Sequence, residues 1–207
     1  MRLQSPFEEK LNALTHGIGA FLSLIGLTLL IAFDTHKTPN SLFSVIVYGS
    51  SVLLLFTAST LYHSAKDDKR KHYFRILDHI SIYFLIAGTY TPVLVIILFD
   101  SLGWILLYIV WGIAAFGIVL KLFFTGKYEV FSTLLYLAMG WLIVFDFSEL
   151  SYKINEGKLF LITGGVSYTI GIVFYAIKSI PYNHVIWHLF VLMGALCHFL
   201  MIFYYVI

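Results

Sequence analysis

Charge is what this chain has least of. Only 12% of its 207 residues are Asp, Glu, Lys or Arg, whereas a soluble domain carries about a quarter. That shortfall excludes an ordinary water-facing surface and fits a protein whose solvent is lipid. Cysteine is nearly absent too. The single Cys197 sits in an apolar run and rules out a disulfide framework, so it is read as a small packing residue. The net charge of +2 is too small for an electrostatic grip on nucleic acid, and no nucleic-acid partner is expected. There is no low-complexity tract and no sign of an attached soluble domain. No small-residue cleavage site follows the first apolar run, which is therefore expected to be a retained helix rather than a signal peptide.

What is abundant is hydrophobic length. Sixty per cent of the residues are hydrophobic, and they fall into seven runs: Leu11–Phe33, Leu42–His63, Ile76–Phe99, Gly103–Phe124, Phe131–Phe147, Leu159–Ile177 and His184–Ile207. A spanning helix needs about 20 apolar residues. In lipid every backbone polar group must be satisfied within its own segment, so these runs are expected to be helices. The fold class predicted is all-α, a polytopic bundle of seven transmembrane helices forming one domain over residues 1–207. The connections are short: Thr35–Asn40, Asp100–Leu102 and Ser179–Asn183 read as turns, Ser64–Lys71 as a charged loop and Glu149–Lys158 as a polar one. Glycines within the runs suit close helix packing.

Orientation follows from the basic residues. With a cytoplasmic N-terminus, only Lys37, Lys153 and Lys158 of the 13 basic residues fall outside, and Arg2, Lys10 and the Lys66–Lys71 run fall inside. A cytoplasmic N-terminus and an external C-terminus are expected, in a cell membrane.

Ionisable residues inside membrane spans are costly and are candidates for function. Four polar clusters interrupt the runs. The first span opens with Glu9, Asn12, Thr15 and His16, and the second closes with Ser59 and His63. The third begins near Asp78 and His79, and the seventh begins with His184 and His188 and later holds His198. Alternating spans bring the first four sets to one membrane face. His184 and His188 are four residues apart and share a helix face, as do Ser59 and His63. Three imidazoles with an open fourth position are the donor set of a catalytic zinc site, and nitrogen ligands without a nearby thiolate favour zinc. His198 lies about 15 Å deeper along its helix than His188, too far for the same ion, and is read as a buried, hydrogen-bonded histidine. His36, His72 and His79 are read as solvated or structural. His16 and Asn12 are expected to support the site or pack the first helix, and Glu9 to pair with a loop lysine.

In these residues the chain resembles the hemolysin III family of bacterial membrane proteins, relatives of the progestin and adipoQ receptors. The resemblance rests on Glu9-x-x-Asn12-x-x-Thr15-His16, Ser59-x-x-x-His63, Asp78, and His184-x-x-x-His188 followed by His198, and covers nearly the whole chain. It implies a seven-helix fold with the N-terminus inside and zinc held by His63, His184 and His188, with Asp78 beside the zinc water and Ser59 one turn before the first ligand. The long cytoplasmic N-terminal region of the animal receptors is missing, which argues against hormone-type signalling. The expected function is hydrolysis of a lipid amide or ester (ceramidase-like), with membrane lipids as partners and a role in lipid homeostasis. Two alternatives stand beside it: a membrane-lytic or channel-forming protein, and a receptor-like sensor with structural zinc.

Overall fold

The computed structural model describes residues 4–207. Arg2, counted above among the inner basic residues, lies outside the described residues. Eight α-helices form seven membrane-crossing spans: α1 (Pro6–Phe33), α2 (Ser41–Ser64), α3 (Asp68–Pro92), α4 (Gly103–Phe124), α5 (Glu129–Gly140) with α6 (Phe147–Ile154), α7 (Gly157–Ala176) and α8 (Asn183–Met201). No strand occurs among the described residues. The seven apolar runs are thus seven helical spans, each long and apolar enough to cross a bilayer.

The bundle is apolar outside and partly polar inside, the reverse of a protein folded in water. Phe123, Val130 and Phe145 are at least 70% exposed, as lipid-facing side chains would be. Asn12, His16, Ser44, Ser59, His63 and Ser81 are buried. Close packing depends locally on glycine. A Cβ at Gly117 of α4 would lie 2.2 Å from the buried Tyr83 ring of α3, and one at Gly164 of α7 would lie 2.3 Å from the His198 ring. Gly112 and Gly165, by contrast, have nothing within 4 Å, so interhelical packing does not require a glycine at either.

Two helices begin earlier than their apolar runs. α1 starts at Pro6, because Ser5 and Glu8 form a reciprocal capping box: Glu8 N–H donates to Ser5 Oγ (3.2 Å), and Ser5 N–H to a Glu8 carboxylate oxygen (2.8 Å). α3 starts at Asp68, capped by the Asp67 carboxylate accepting from Arg70 N–H (2.9 Å). Half of the expected charged loop is therefore α3's first turn, and His72 sits exposed on that helix rather than in a loop. These added turns project on the face where α1 begins.

Two spans are irregular. Pro92 has no N–H to donate and crowds the carbonyl four residues back, and the chain continues from it as a π-helical turn, Val93–Ile97. The fifth span breaks at Gly140–Trp141, runs through the 3₁₀ turn Leu142–Asp146 and resumes as α6. Tyr90 of α3 repairs the break: its hydroxyl donates to Gly140 O and accepts from Ile143 N–H, both at 2.9 Å. The Asp146 carboxylate accepts from Ser101 Oγ and Leu102 N–H, each at 3.0 Å, which ties the break to the start of α4. The span reaches Ile154, so the expected polar loop 149–158 is largely helical.

Candidate metal centre

The histidines expected to share an ion are brought together. His63, on the last turn of α2, meets His184 and His188, on the first two turns of α8. One ligand nitrogen from each lies within 4.8 Å of the others. The ring centroids of His63 are 5.0 Å from those of both His184 and His188, which are themselves 4.6 Å apart. The i, i+4 spacing on α8 sets the pair, and antiparallel alternation of the spans delivers the third ring.

α8 is aimed by its entry. Tyr182, just before the helix, has a left-handed φ of 56°, uncommon for a bulky residue. Its N–H donates to a Glu8 carboxylate oxygen (3.2 Å), and Asn183 Nδ2 donates to Phe174 O (3.2 Å). The start of α8 is thereby tied to α1 and α7.

The donor set fits a metal ion. His63 Nδ1 is 2.7 Å from a Glu9 carboxylate oxygen, which leaves Nε2 as the ligand nitrogen. That Nε2 is buried without a hydrogen-bond partner. A buried polar atom left so costs free energy unless something meets it. A bound cation facing three imidazoles would do so.

The other expected site residues are nearby. Ser59 and Asp78 line the same cavity as His184 and His188. Ser59 Oγ is buried and faces the Asp78 carboxylate. His16 stacks on His188, with centroids 3.5 Å apart and planes within 10°, and neither of its ring nitrogens has a partner. Asn12 is fully buried, its Nδ2 donating to Gln4 Oε1 (3.0 Å). Glu9 takes Lys71 as its lysine, at 2.7 Å, and holds His63 as well. His198 is hydrogen-bonded as expected, Nε2 lying 3.3 Å from Leu161 O. His36 is exposed and lies 2.8 Å from Asp34. His79 is buried and lines the cavity, so the solvated reading does not hold for it.

The cavity has a volume of about 420 Å³, the range of small-molecule sites. It runs from His184 and His188 down to His198, with a mainly apolar wall of α3, α5 and α7 side chains such as Ile82, Leu137 and Ile172. Trp141, Val144 and Ile162 line it and are also 44–52% exposed on the outer surface, so the cavity reaches the outer surface between the broken fifth span and α7.

A second polar cluster at this end went unread in the sequence. Glu129, at the start of α5, lies 3.2 Å from Lys121 Nζ and 3.4 Å from an Arg75 guanidinium nitrogen, and accepts from Gly126 N–H (3.1 Å). Lys121 and Glu129 flank the tight turn between the fourth and fifth spans, and that spacing was the available signal. Lys178, in the loop before α8, stacks 4.0 Å over the Tyr175 ring, and burial holds its ammonium below the ordinary lysine range.

Comparison with known proteins agrees with the motif reading. The haemolysin-III-related family matches residues 4–199. Hemolysin-3 of Bacillus cereus is 45% identical over 97% of this chain and 92% of its own length. The hemolysin-3 homolog of Bacillus subtilis is 44% identical over 96% and 94%. The human monocyte to macrophage differentiation factor is 30% identical over 96% of this chain and 84% of its own. No solved structure matches. With seven apolar spans and a family match over nearly its whole length, the chain belongs to the hemolysin III family of multi-pass cell-membrane proteins.

Proposed function

We propose that this protein is a zinc-dependent hydrolase of a lipid-borne amide or ester. The observation that carries the reading is the three-histidine cluster, two of whose members, His184 and His188, line the polar end of an apolar, laterally open cavity. His63, His184 and His188 would hold the ion. A zinc ion with three nitrogen ligands and an open position supplies a Lewis acid that activates water near neutral pH. A carboxylate oxygen of Asp78 orients the attacking water and takes its proton. The Ser59 hydroxyl donates to the oxygen on which negative charge develops. The apolar wall binds the acyl chain and keeps bulk water from the reacting carbonyl. Entry between the fifth span and α7 lets a substrate arrive from the bilayer with its polar end toward the histidines.

The first test is zinc content of detergent-purified protein, wild type beside His184→Ala/His188→Ala. One zinc per chain, lost in the variant, is expected; none in folded wild type refutes the reading. Lipid-amide turnover follows, and Asp78→Asn should abolish it while keeping the zinc. The name of the Bacillus cereus relative brings a second reading, membrane lysis. Bilayer conductance that survives loss of the histidines would favour it.

A further inference from the structure

The motif that opens α1 has no part in the chemistry above, yet its side chains touch two of the three histidines from behind. We propose that α1 is the positioning element of the metal centre, with the Glu9 carboxylate and the Thr15 hydroxyl fixing the tautomer and aim of His63 and His188. The proposal rests on the reading of these histidines as metal ligands.

An imidazole can ligate through one nitrogen only if the proton sits on the other, and the hydrogen bond made by that other nitrogen decides where the proton is. His63 Nδ1 lies 2.7 Å from Glu9 Oε2. A carboxylate can only accept, so Nδ1 carries the proton and donates it there. Nε2 is then unprotonated, and it is the buried atom with no other partner. The same logic applies at His188, where Nδ1 lies 3.3 Å from Thr15 Oγ1. The Thr15 hydroxyl is 3.0 Å from both Leu11 O and Asn12 O and spends its proton on one of them. It therefore accepts from His188 Nδ1–H, which leaves Nε2 of His188 as the ligand. His16, stacked on His188, limits rotation of that ring about its own bond.

Lys71 completes the arrangement. Its ammonium is 2.7 Å from Glu9 Oε1, the oxygen His63 does not use. Held at both oxygens, the carboxylate cannot swing away from His63. A single helix thus supplies acceptors to ligands from α2 and α8, which accounts for Glu9 and Thr15 in the motif.

The test is zinc affinity of the full-length protein in detergent, measured by competition with a chelating indicator, together with the visible spectrum of the cobalt(II)-loaded form. Outer partners of metal-bound histidines are worth about 10–100-fold in affinity. Glu9→Ala should lose that much and change the cobalt spectrum, and Glu9→Gln, which keeps an acceptor, should lose less. Thr15→Val should weaken zinc binding, and Thr15→Ser should restore it. Metal-free melting temperatures identify any variant that fails to fold. Lys71→Met keeps the Glu9–His63 contact but frees the other carboxylate oxygen, so it should lose less than Glu9→Ala; a loss equal to that of Glu9→Ala would overturn the assignment to that contact. Wild-type affinity in both Glu9 variants would overturn the proposal and leave the metal site standing. A wild type that binds no zinc would overturn both.

Discussion

Replacing Glu129 by Gln removes the charge that faces two cations, the half-exposed Arg75 and the buried Lys121. The Lys121 side chain is 1% exposed, with its ammonium 3.2 Å from the Glu129 carboxylate. At that separation and an effective dielectric of about 20 the gross attraction is about 5 kcal/mol. Breaking a buried pair from one side typically costs about 3–5 kcal/mol, because the survivor stays desolvated and unpaired. Glu129 is itself 26% exposed, so the low end applies, about 3 kcal/mol. For a chain of this size that lowers the melting temperature by roughly 6–12 °C. Losing the cation should hurt less. In Lys121→Met, Glu129 keeps Arg75 and Gly126 N–H, and the expected cost is about 1 kcal/mol. The double variant should recover most of the loss, since Met and Gln leave no unpaired charge between α4 and α5. Thermal unfolding in detergent, followed by exposure of Cys197 (buried in the native bundle) to a thiol probe, would rank the three. Equal melting of Glu129→Gln and wild type, or a larger loss in Lys121→Met, would refute the asymmetry.

Gly164→Ala puts a methyl 2.3 Å from the His198 ring and forces it from Leu161 O; a loss of about 1–3 kcal/mol is expected, read as a lower melting temperature. Tyr90→Phe strips Gly140 O and Ile143 N–H of their shared partner, at about 1–3 kcal/mol, and should speed amide exchange at the break in the fifth span. Asp100, in an exposed turn, has its carboxyl held below the ordinary aspartate range by the hydrogen bond from Lys153. A depressed native value contributes stability that is present above the ordinary aspartate range, about pH 4, and is lost as pH falls through the lowered native value. Wild type should therefore lose melting temperature faster than Asp100→Asn on acidification below about pH 4, and identical slopes would refute the pairing.

The spans and the histidine triad were legible because each has a period or a length that physics enforces. Seven runs of bilayer length must be helices, and His184 and His188 four apart must share a face. The extra turns of α1 and α3 were hidden by the same rule. Hydropathy marks the end of a span where charge begins, whereas a helix ends where its caps are, and the caps Ser5 and Asp67 lie outside the apolar runs. The break in the fifth span leaves no local mark, since Leu142 to Phe145 is as apolar as its surroundings. It exists because Tyr90, fifty residues earlier, offers a hydroxyl to the exposed backbone. Glu9 could be expected to find a lysine, but the choice of Lys71 and the added contact to His63 depend on the packing of α2 between α1 and α3.

The spans differ in length, and their ends do not form a level rim. α1 has 28 residues and the third span 30, while α7 has 20. At 1.5 Å per residue these are roughly 42, 45 and 30 Å, against a hydrocarbon core of about 30 Å. The surplus of α1 and α3 stands on the face that carries the histidines, whereas α7 stops near the edge of the hydrocarbon. The histidine cluster is therefore flanked by longer helices on the α1 and α3 sides and by a shorter one on the α7 side. On that side the Tyr175 ring of α7 lies 5.9 Å from His184, so a molecule anchored by its tail and moving sideways within the leaflet would meet this ring before the histidines.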